Sequence, residues 1–201
     1  KFAAEKYGIE GRGITVSEEQ VRLARQRTTG LPVEIHLQDY RKESGSFDAI
    51  ASVGMAEHVG WKNYPAYMEV AHRCLKPGGL MALQTIGSNR SVKETDPWIE
   101  KYIFPNSMLP SLHQLTRAVE PYFVVEDVQN FGPDYDQTLM AWDRNFRFAW
   151  PRLKEKYGER FYRMWRYYLM SSAASFRTRR IQLWQLVLAK RPGPARYDAP
   201  R

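Results

Sequence analysis

Apolar and polar positions along this chain switch between two periods, and the switching predicts alternating helices and strands. Residues 1–8 read as the end of a helix, entered midway and stopped at Gly8, and 13–16 is a short β-rich run. Ser17 stands three residues before Gln20, a capping-box arrangement that starts a helix running to Arg27. Gly30-Leu31-Pro32 breaks that helix, and residues 33–37 alternate as a strand does. Residues 47–53 are almost continuously small or apolar, as suits a parallel strand covered on both faces. Helical periodicity over 64–75 ends at Lys76-Pro77-Gly78-Gly79, a stop signal, and 80–86 is another buried strand. Residues 88–110 lose the pattern and carry Pro97, Pro105 and Pro110 among aromatics, which predicts a long insertion or lid. A short helix over 111–120 with Ser111 as N-cap, a strand over 123–128, a helix over 137–156 kinked or broken at Pro151, a helix over 159–176 and a last strand over 181–189 complete the series.

Strands alternating with helices argue for a doubly wound α/β sheet, and the two late helices resemble a cap inserted on it. A length of 201 residues suits one domain with a sizeable core. The expected layout is a catalytic domain over 1–191, a helical cap from about 88–122 and 134–178, and a tail over 192–201. Nucleotide-type sites on such sheets open with a strand and a glycine-rich turn that brings backbone N–H groups to the ligand. No such turn precedes the helix of residues 1–8. The expectation is therefore that the first strand and glycine-rich loop lie before Lys1, in a longer gene product.

Charge and composition narrow the partners. The hydrophobic fraction of 43% is ordinary for a globular domain, and no apolar run approaches the roughly 20 residues that span a bilayer. The single cysteine, Cys74, excludes a disulfide within the chain, fits a reducing cytoplasm, and reads as a buried inert thiol in a helical pattern. A net charge of +8 favours an anionic partner. Much of the positive charge falls late, at Arg160, Arg163, Arg166, Arg177, Arg179, Arg180, Lys190 and Arg191, interleaved with Phe161, Trp165, Tyr167 and Tyr168. Such a stretch suits an anionic lipid surface or a nucleic acid, or is a core helix with a solvated basic face.

Candidate chemistry gathers at predicted strand ends, where ligands bind in open α/β sheets. Glu57, in Gly54-Met-Ala-Glu-His-Val-Gly60, follows the strand 47–53 and offers a carboxylate there, or a helix cap or ion pair. Thr15, Ser17 and Gln20 flank another strand end, and Gln38-Asp39 a third. Asp39 suits an adenine amino group or simply a turn cap.

Taken in order, GITVSEEQ, LQDYR, FDAIASVGMAEHVG, KNY, LKPGG, DPWIEKYIFPN, FGPDYDQTLMAW and FRTRRIQLWQ resemble the bacterial cyclopropane-fatty-acyl-phospholipid synthases over nearly the whole chain. The mycolic acid cyclopropane synthases are more distant relatives. The resemblance implies a Rossmann-like class I methyltransferase fold and transfer of a methylene from S-adenosylmethionine to the cis double bond of an unsaturated phospholipid acyl chain. It implies a carbocation in a dry aromatic pocket and a bound bicarbonate ion as base. Glu57 matches the carboxylate that holds the bicarbonate, Tyr135 the hydroxyl that contacts it, and the backbone of Ile86 another contact. Phe104 matches an aromatic near the reacting carbons. Thr15 and Gln20 match positions near the methionine and ribose portions of the cofactor, Gln38 and Asp39 the adenine side, and Val53 the adenine pocket wall. The implied setting is the cytoplasmic face of the membrane, with peripheral attachment to anionic lipid, a homodimer of the full-length protein, and no nucleic acid or metal.

Two departures stand out. Gln84 occupies a position where many relatives carry histidine; its amide still donates a hydrogen bond but carries no proton in the working pH range. Methylation without ring closure is accordingly a second expectation, with His58 read as structural. The glycine-rich loop and its cysteine are the other departure, since the family carries them before the position of Lys1. Without them the residues here are expected to bind cofactor poorly and to be inactive. Methylation of a small amine and a non-catalytic membrane-binding remnant are the competing readings.

Overall fold

The computed structural model describes residues 1–193 and 197–199, which fall into two compact units divided between Ser46 and Phe47. The expected tail over 192–201 lies partly outside the described residues.

In the first unit, helix α1 (Phe2–Tyr7) ends at Gly8, whose φ of 64° lies in the left-handed region that favours glycine. Strand β1 (Gly11–Thr15), helix α2 (Glu18–Arg27) and strand β2 (Val33–Leu37) form a parallel β-α-β unit. Its register runs from Gly11 opposite Val33 to Thr15 opposite Leu37. Arg25 on α2 donates to the Ile35 carbonyl at 2.8 and 3.1 Å, tying helix to strand. The capping box forms only in half. Ser17 Oγ accepts from the Gln20 N–H at 3.3 Å, but the Gln20 side chain turns to the Thr15 hydroxyl at 2.6 Å. The Ser17 N–H then donates to Thr15 Oγ1. A competing hydroxyl at the strand end has captured the side chain that a box would use.

The second unit is built on strands β3 (Phe47–Val53), β4 (Leu75–Ser88), β5 (Phe123–Asn130) and β6 (Ile181–Lys190), in the order β3-β4-β6-β5. β3 and β4 are parallel, and β6 runs antiparallel to β4 and β5. β4 begins earlier than its apolar run. Phe47 pairs Leu75, the register then jumps to Ala49 opposite Leu80, and Lys76-Pro77-Gly78-Gly79 forms the irregular opening of the strand. Gly79 permits this, since a Cβ there would lie 2.9 Å from the Asp48 carbonyl oxygen.

Alternation along β4 buries Met81, Leu83 and Thr85 on one face, in register with Ser52 of β3 or with Leu186 and Leu188 of β6. Helix α4 (Tyr64–Cys74) brings Tyr64, Tyr67, Met68, Ala71 and the buried Cys74 to the core. Helix α6 (Leu112–Val119) contributes Leu115 and Val119, packs against α4 and β5, and starts with a complete capping box between Ser111 and Gln114. The expected lid over 88–110 contains a further short helix, α5 (Pro97–Tyr102), whose N-cap Asp96 accepts from the N–H groups of Trp98 and Ile99.

The two late helices are the two arms of α7 (Gly132–Arg177), which meet at Gly158. Gly158, with φ 71° and ψ 163°, falls in the gap expected between the helices 137–156 and 159–176, and Pro151, the expected position of a kink or break, stays inside the first arm. A proline removes one helical hydrogen bond, whereas glycine reaches a backbone conformation closed to other residues and so reverses the chain. Across the reversal, Asp143, only 2% exposed, pairs with Arg147 at 3.0 Å on its own arm and Arg166 at 2.9 Å on the other. Leu139, Leu169, Ala173 and Phe176 of α7 close on Leu183 of β6 and Ile86.

Candidate active site

The site of the second unit starts where β3 ends. Gly54, with φ 62°, donates its N–H to the Gln84 carbonyl and turns the chain into the four-residue helix α3 (Ala56–Val59). Glu57 on α3 is 8% exposed and fixed at both ends. Its backbone carbonyl accepts from the Met108 N–H at 2.7 Å, and its Oε1 accepts from the Ile86 N–H at 2.8 Å. Its other carboxylate oxygen, Oε2, is buried and has no hydrogen-bond partner. A carboxylate oxygen in that state carries a desolvation cost that a donor from a water or a ligand would offset.

The remaining side chains of the cluster arrive from α7 and the α5 segment. α7 starts at Phe131, whose N–H donates to the Leu183 carbonyl, and Gly132 sits so close to β6 that a Cβ would lie 2.9 Å from Gln182 Oε1. This entry sets Tyr135 one turn in, with its ring edge-on to Phe176 at 5.1 Å and Trp142 at 5.8 Å. Burial, and then the nearby Glu57 charge, raise the Tyr135 hydroxyl above its ordinary range, so it stays a donor. Burial, then the Glu57 charge and Tyr67, raise Tyr64, whose hydroxyl donates to the Ala56 carbonyl. Phe104, 40% exposed, stands edge-on to His58 at 5.8 Å and to Tyr168 at 5.9 Å.

Tyr168 is a participant that sequence reading passed over. It packs with Ile86 and Tyr135 against the same apolar cluster, and its hydroxyl is raised by burial and then by Tyr135. Only its place in a helical aromatic run hinted at it. Glu57, Ile86, Tyr135 and Phe104 are thus joined through shared neighbours. His58 serves as a wall for Phe104. Gln84 lies two residues before Ile86 on the same strand face, where its Oε1 accepts from Gln185 Nε2 at 2.6 Å; its own amide N–H groups remain for a ligand.

The cofactor candidates lie at strand ends. In the first unit, Thr15 and Gln20 are hydrogen-bonded to each other just past β1. Gln38 follows β2, its N–H donating to the Thr15 carbonyl and its amide to Glu43. Asp39 caps the turn Tyr40–Lys42 and pairs with Arg41 at 2.6 Å, which holds its carboxyl down at about 2. In the second unit, Val53 ends β3 and is 67% exposed, an apolar surface at a carboxyl edge. Among the described residues no cluster of His, Cys, Asp and Glu is placed to hold a metal ion, and no helix is long and apolar enough to cross a membrane.

Comparison with known proteins decides the family: residues 1–186 match the family described as mycolic acid cyclopropane synthetase. The chain belongs to that family. It is 52% identical over 189 residues to the cyclopropane-fatty-acyl-phospholipid synthase of Escherichia coli (strain K12), covering 94% of this chain and 50% of that protein. It is 36% identical over 198 residues to a tuberculostearic acid methyltransferase of Mycobacterium tuberculosis, covering 93% of this chain and 46% of that protein. The chain therefore spans about half the length of these curated relatives. A crystal structure of a mycolic acid cyclopropane synthase complexed with SAH and CTAB superposes with a TM-score of 0.86 at 26% identity, over 94% of this chain and 73% of that one. The α/β fold is that of the cyclopropane synthases.

Proposed function

We propose that the complete protein of which this chain is part converts the cis double bond of an unsaturated phospholipid acyl chain to a cyclopropane. S-adenosylmethionine supplies the one-carbon unit as a sulfonium methyl. Bicarbonate held beside Glu57 supplies the base for the proton lost from the added carbon. The observation that carries the reading is the unpartnered, buried Glu57 Oε2 beside the backbone N–H of Ile86 and within the electrostatic reach of Tyr135.

The roles follow from chemistry. Glu57 holds the anion through a shared proton, since two bare anions side by side repel. The Tyr135 hydroxyl and the Gln84 amide donate to its remaining oxygens. Phe104 and Tyr168 keep water from the reacting carbons and set ring faces near developing positive charge. Thr15, Gln20, Gln38 and Asp39 of the first unit serve the cofactor. Gln38 and Asp39 do so with side chains already tied to Glu43 and Arg41, so backbone groups carry much of their contribution. The protein works as a peripheral enzyme on the cytoplasmic face of the membrane.

Incubating the complete gene product with labelled S-adenosylmethionine and unsaturated phospholipid vesicles tests the proposal. Label in cyclopropane acyl chains, with turnover that falls when bicarbonate is removed, is expected. Label only in a small amine would overturn it. A methyl-branched product is the second reading; Gln84 and the 36% identity to a methyltransferase favour it. Mass spectrometry of the product lipids separates ring from branch.

A further inference from the structure

Outside the Glu57 cluster, the second arm of α7 and the helix α5 border a cleft of about 320 Å³ lined by Trp98, Tyr102, Arg160, Arg163, Met164 and Tyr167. The α7 residues fall at i, i+3, i+4 and i+7, one stripe of a helix, and the two from α5 are four apart. The arginines set this cleft off from the rest of the arm. Arg166 is ion-paired with Asp143 and Arg177 with Asp136, at 2.9 Å in each case. Among the described residues, Arg160 and Arg163 have no ion pair and no hydrogen-bonded partner. Two uncompensated guanidinium groups on a shared helical stripe make a site for a phosphate or another oxyanion.

Around them the lining is aromatic. Trp98 meets Tyr167 edge to face at 4.5 Å and 70°, and leans on Tyr102 at 5.4 Å. Edge-to-face rings leave no parallel slot for a nucleobase, while Trp and Tyr beside cationic groups suit the interfacial layer of a bilayer. The position points the same way. The segment carrying Trp98 and Tyr102 continues into Phe104, which packs against Tyr168, the neighbour of Tyr167 on α7.

We infer that this cleft binds the headgroup phosphate of an anionic bilayer phospholipid and docks the protein on the membrane beside the Glu57 cluster. The inference rests on the lipid-modifying reading above and adds to it the surface by which the substrate layer is engaged. A headgroup held between Arg160 and Arg163 sits on one side of the α5 segment, and Phe104 presents its other end to the reacting cluster.

The test is co-sedimentation of the complete gene product with vesicles of phosphatidylcholine containing phosphatidylglycerol. Arg160→Gln with Arg163→Gln is expected to weaken binding about 30-fold, from the typical contribution of a basic residue near an anionic surface. The charge-matched pair Arg144→Gln with Arg152→Gln, on the other arm and outside the cleft lining, is expected to weaken it less than about fivefold. Equal weakening by the two pairs overturns the inference, since net charge alone then explains binding. Displacement of the wild-type protein by inorganic phosphate at constant ionic strength also overturns it and makes the cleft a site for free phosphate. With detergent-dispersed unsaturated phospholipid, the cleft variant is expected to lose less transfer than it loses on vesicles; matching losses on dispersed and vesicular substrate overturn a docking role. Cleft-dependent vesicle binding by a protein that transfers label to no lipid would remove the proposed reaction and leave the docking site standing.

Discussion

Glu57→Gln in the complete protein separates the chemistry of this site from its architecture. The substitution keeps the side-chain shape and an oxygen to accept from the Ile86 N–H, now 2.8 Å from Oε1. That hydrogen bond passes from charge-assisted to neutral, a loss of about 1 kcal/mol. Against this, the variant removes a buried charged oxygen that has no partner, a penalty on the order of 1–3 kcal/mol. The new amide N–H groups are themselves buried and cancel part of that gain. Net stability is therefore expected to stay within about 1 kcal/mol of wild type. Turnover, in contrast, is expected to fall by about 10² or more, the scale of a general-base contribution. Glu57→Ala serves as the contrast: it strands the Ile86 N–H and is expected to cost a further ~1–3 kcal/mol. Urea denaturation gives the stabilities, and transfer of labelled carbon to unsaturated phospholipid vesicles gives the rates. Near-normal turnover in Glu57→Gln would refute a role in positioning the base. Unfolding of that variant would refute the hydrogen-bond reasoning, because it would make the charge itself structural.

Other expectations follow from the same structure. Gln84→His should keep or raise activity if the amide stands in for a better ligand, and complete loss in the labelled-transfer assay would mean the pocket is built around glutamine. Gly87→Ala should destabilise by about 1–3 kcal/mol in thermal or chemical denaturation, because its Cβ would fall 2.1 Å from Cζ3 of Trp184 and 2.8 Å from the Pro110 carbonyl oxygen. An unchanged melting point would show that Trp184 moves freely. Asp143→Asn should cost about 1–3 kcal/mol, since it weakens both ion pairs of the helical hairpin, and the loss should persist in high salt because Asp143 is 2% exposed. Stability should also decline at alkaline pH. Tyr64, Tyr135 and Tyr168 are all raised above the ordinary tyrosine value, chiefly by burial. The unfolded chain then releases protons at about pH 10 that the folded chain retains, so their stabilisation is complete below that pH and is lost as pH climbs from there through the higher folded values. Denaturation midpoints followed upward from neutral pH should drop there, less steeply in Tyr168→Phe, and an identical slope in that variant would exclude Tyr168 from the effect.

Local pattern was enough to define many elements of this protein. The helix α2 and strands β2 and β3 lie where their periodicity placed them, because each is specified by short-range capping and by side chains alternating over few residues. The motif around Glu57 marked a strand end, and its neighbours in sequence marked the family. What the sequence left open depended on partners distant along the chain. That Pro151 leaves the first arm unbroken, and that the two arms fold back on each other about Gly158, is settled by the packing of one arm on the other, through Asp143 and Arg166, together with the backbone freedom of glycine. The half-formed box at Ser17 turned on which acceptor or donor stood nearest Gln20, a matter of angstroms at the end of β1. Tyr168 joined the site because α7 folds back on itself to set it beside Phe104, a residue 64 positions earlier in the sequence. The unpaired state of Glu57 Oε2 is likewise a tertiary fact, since a hydrogen bond that is absent is visible only when every neighbour that could make it has been placed.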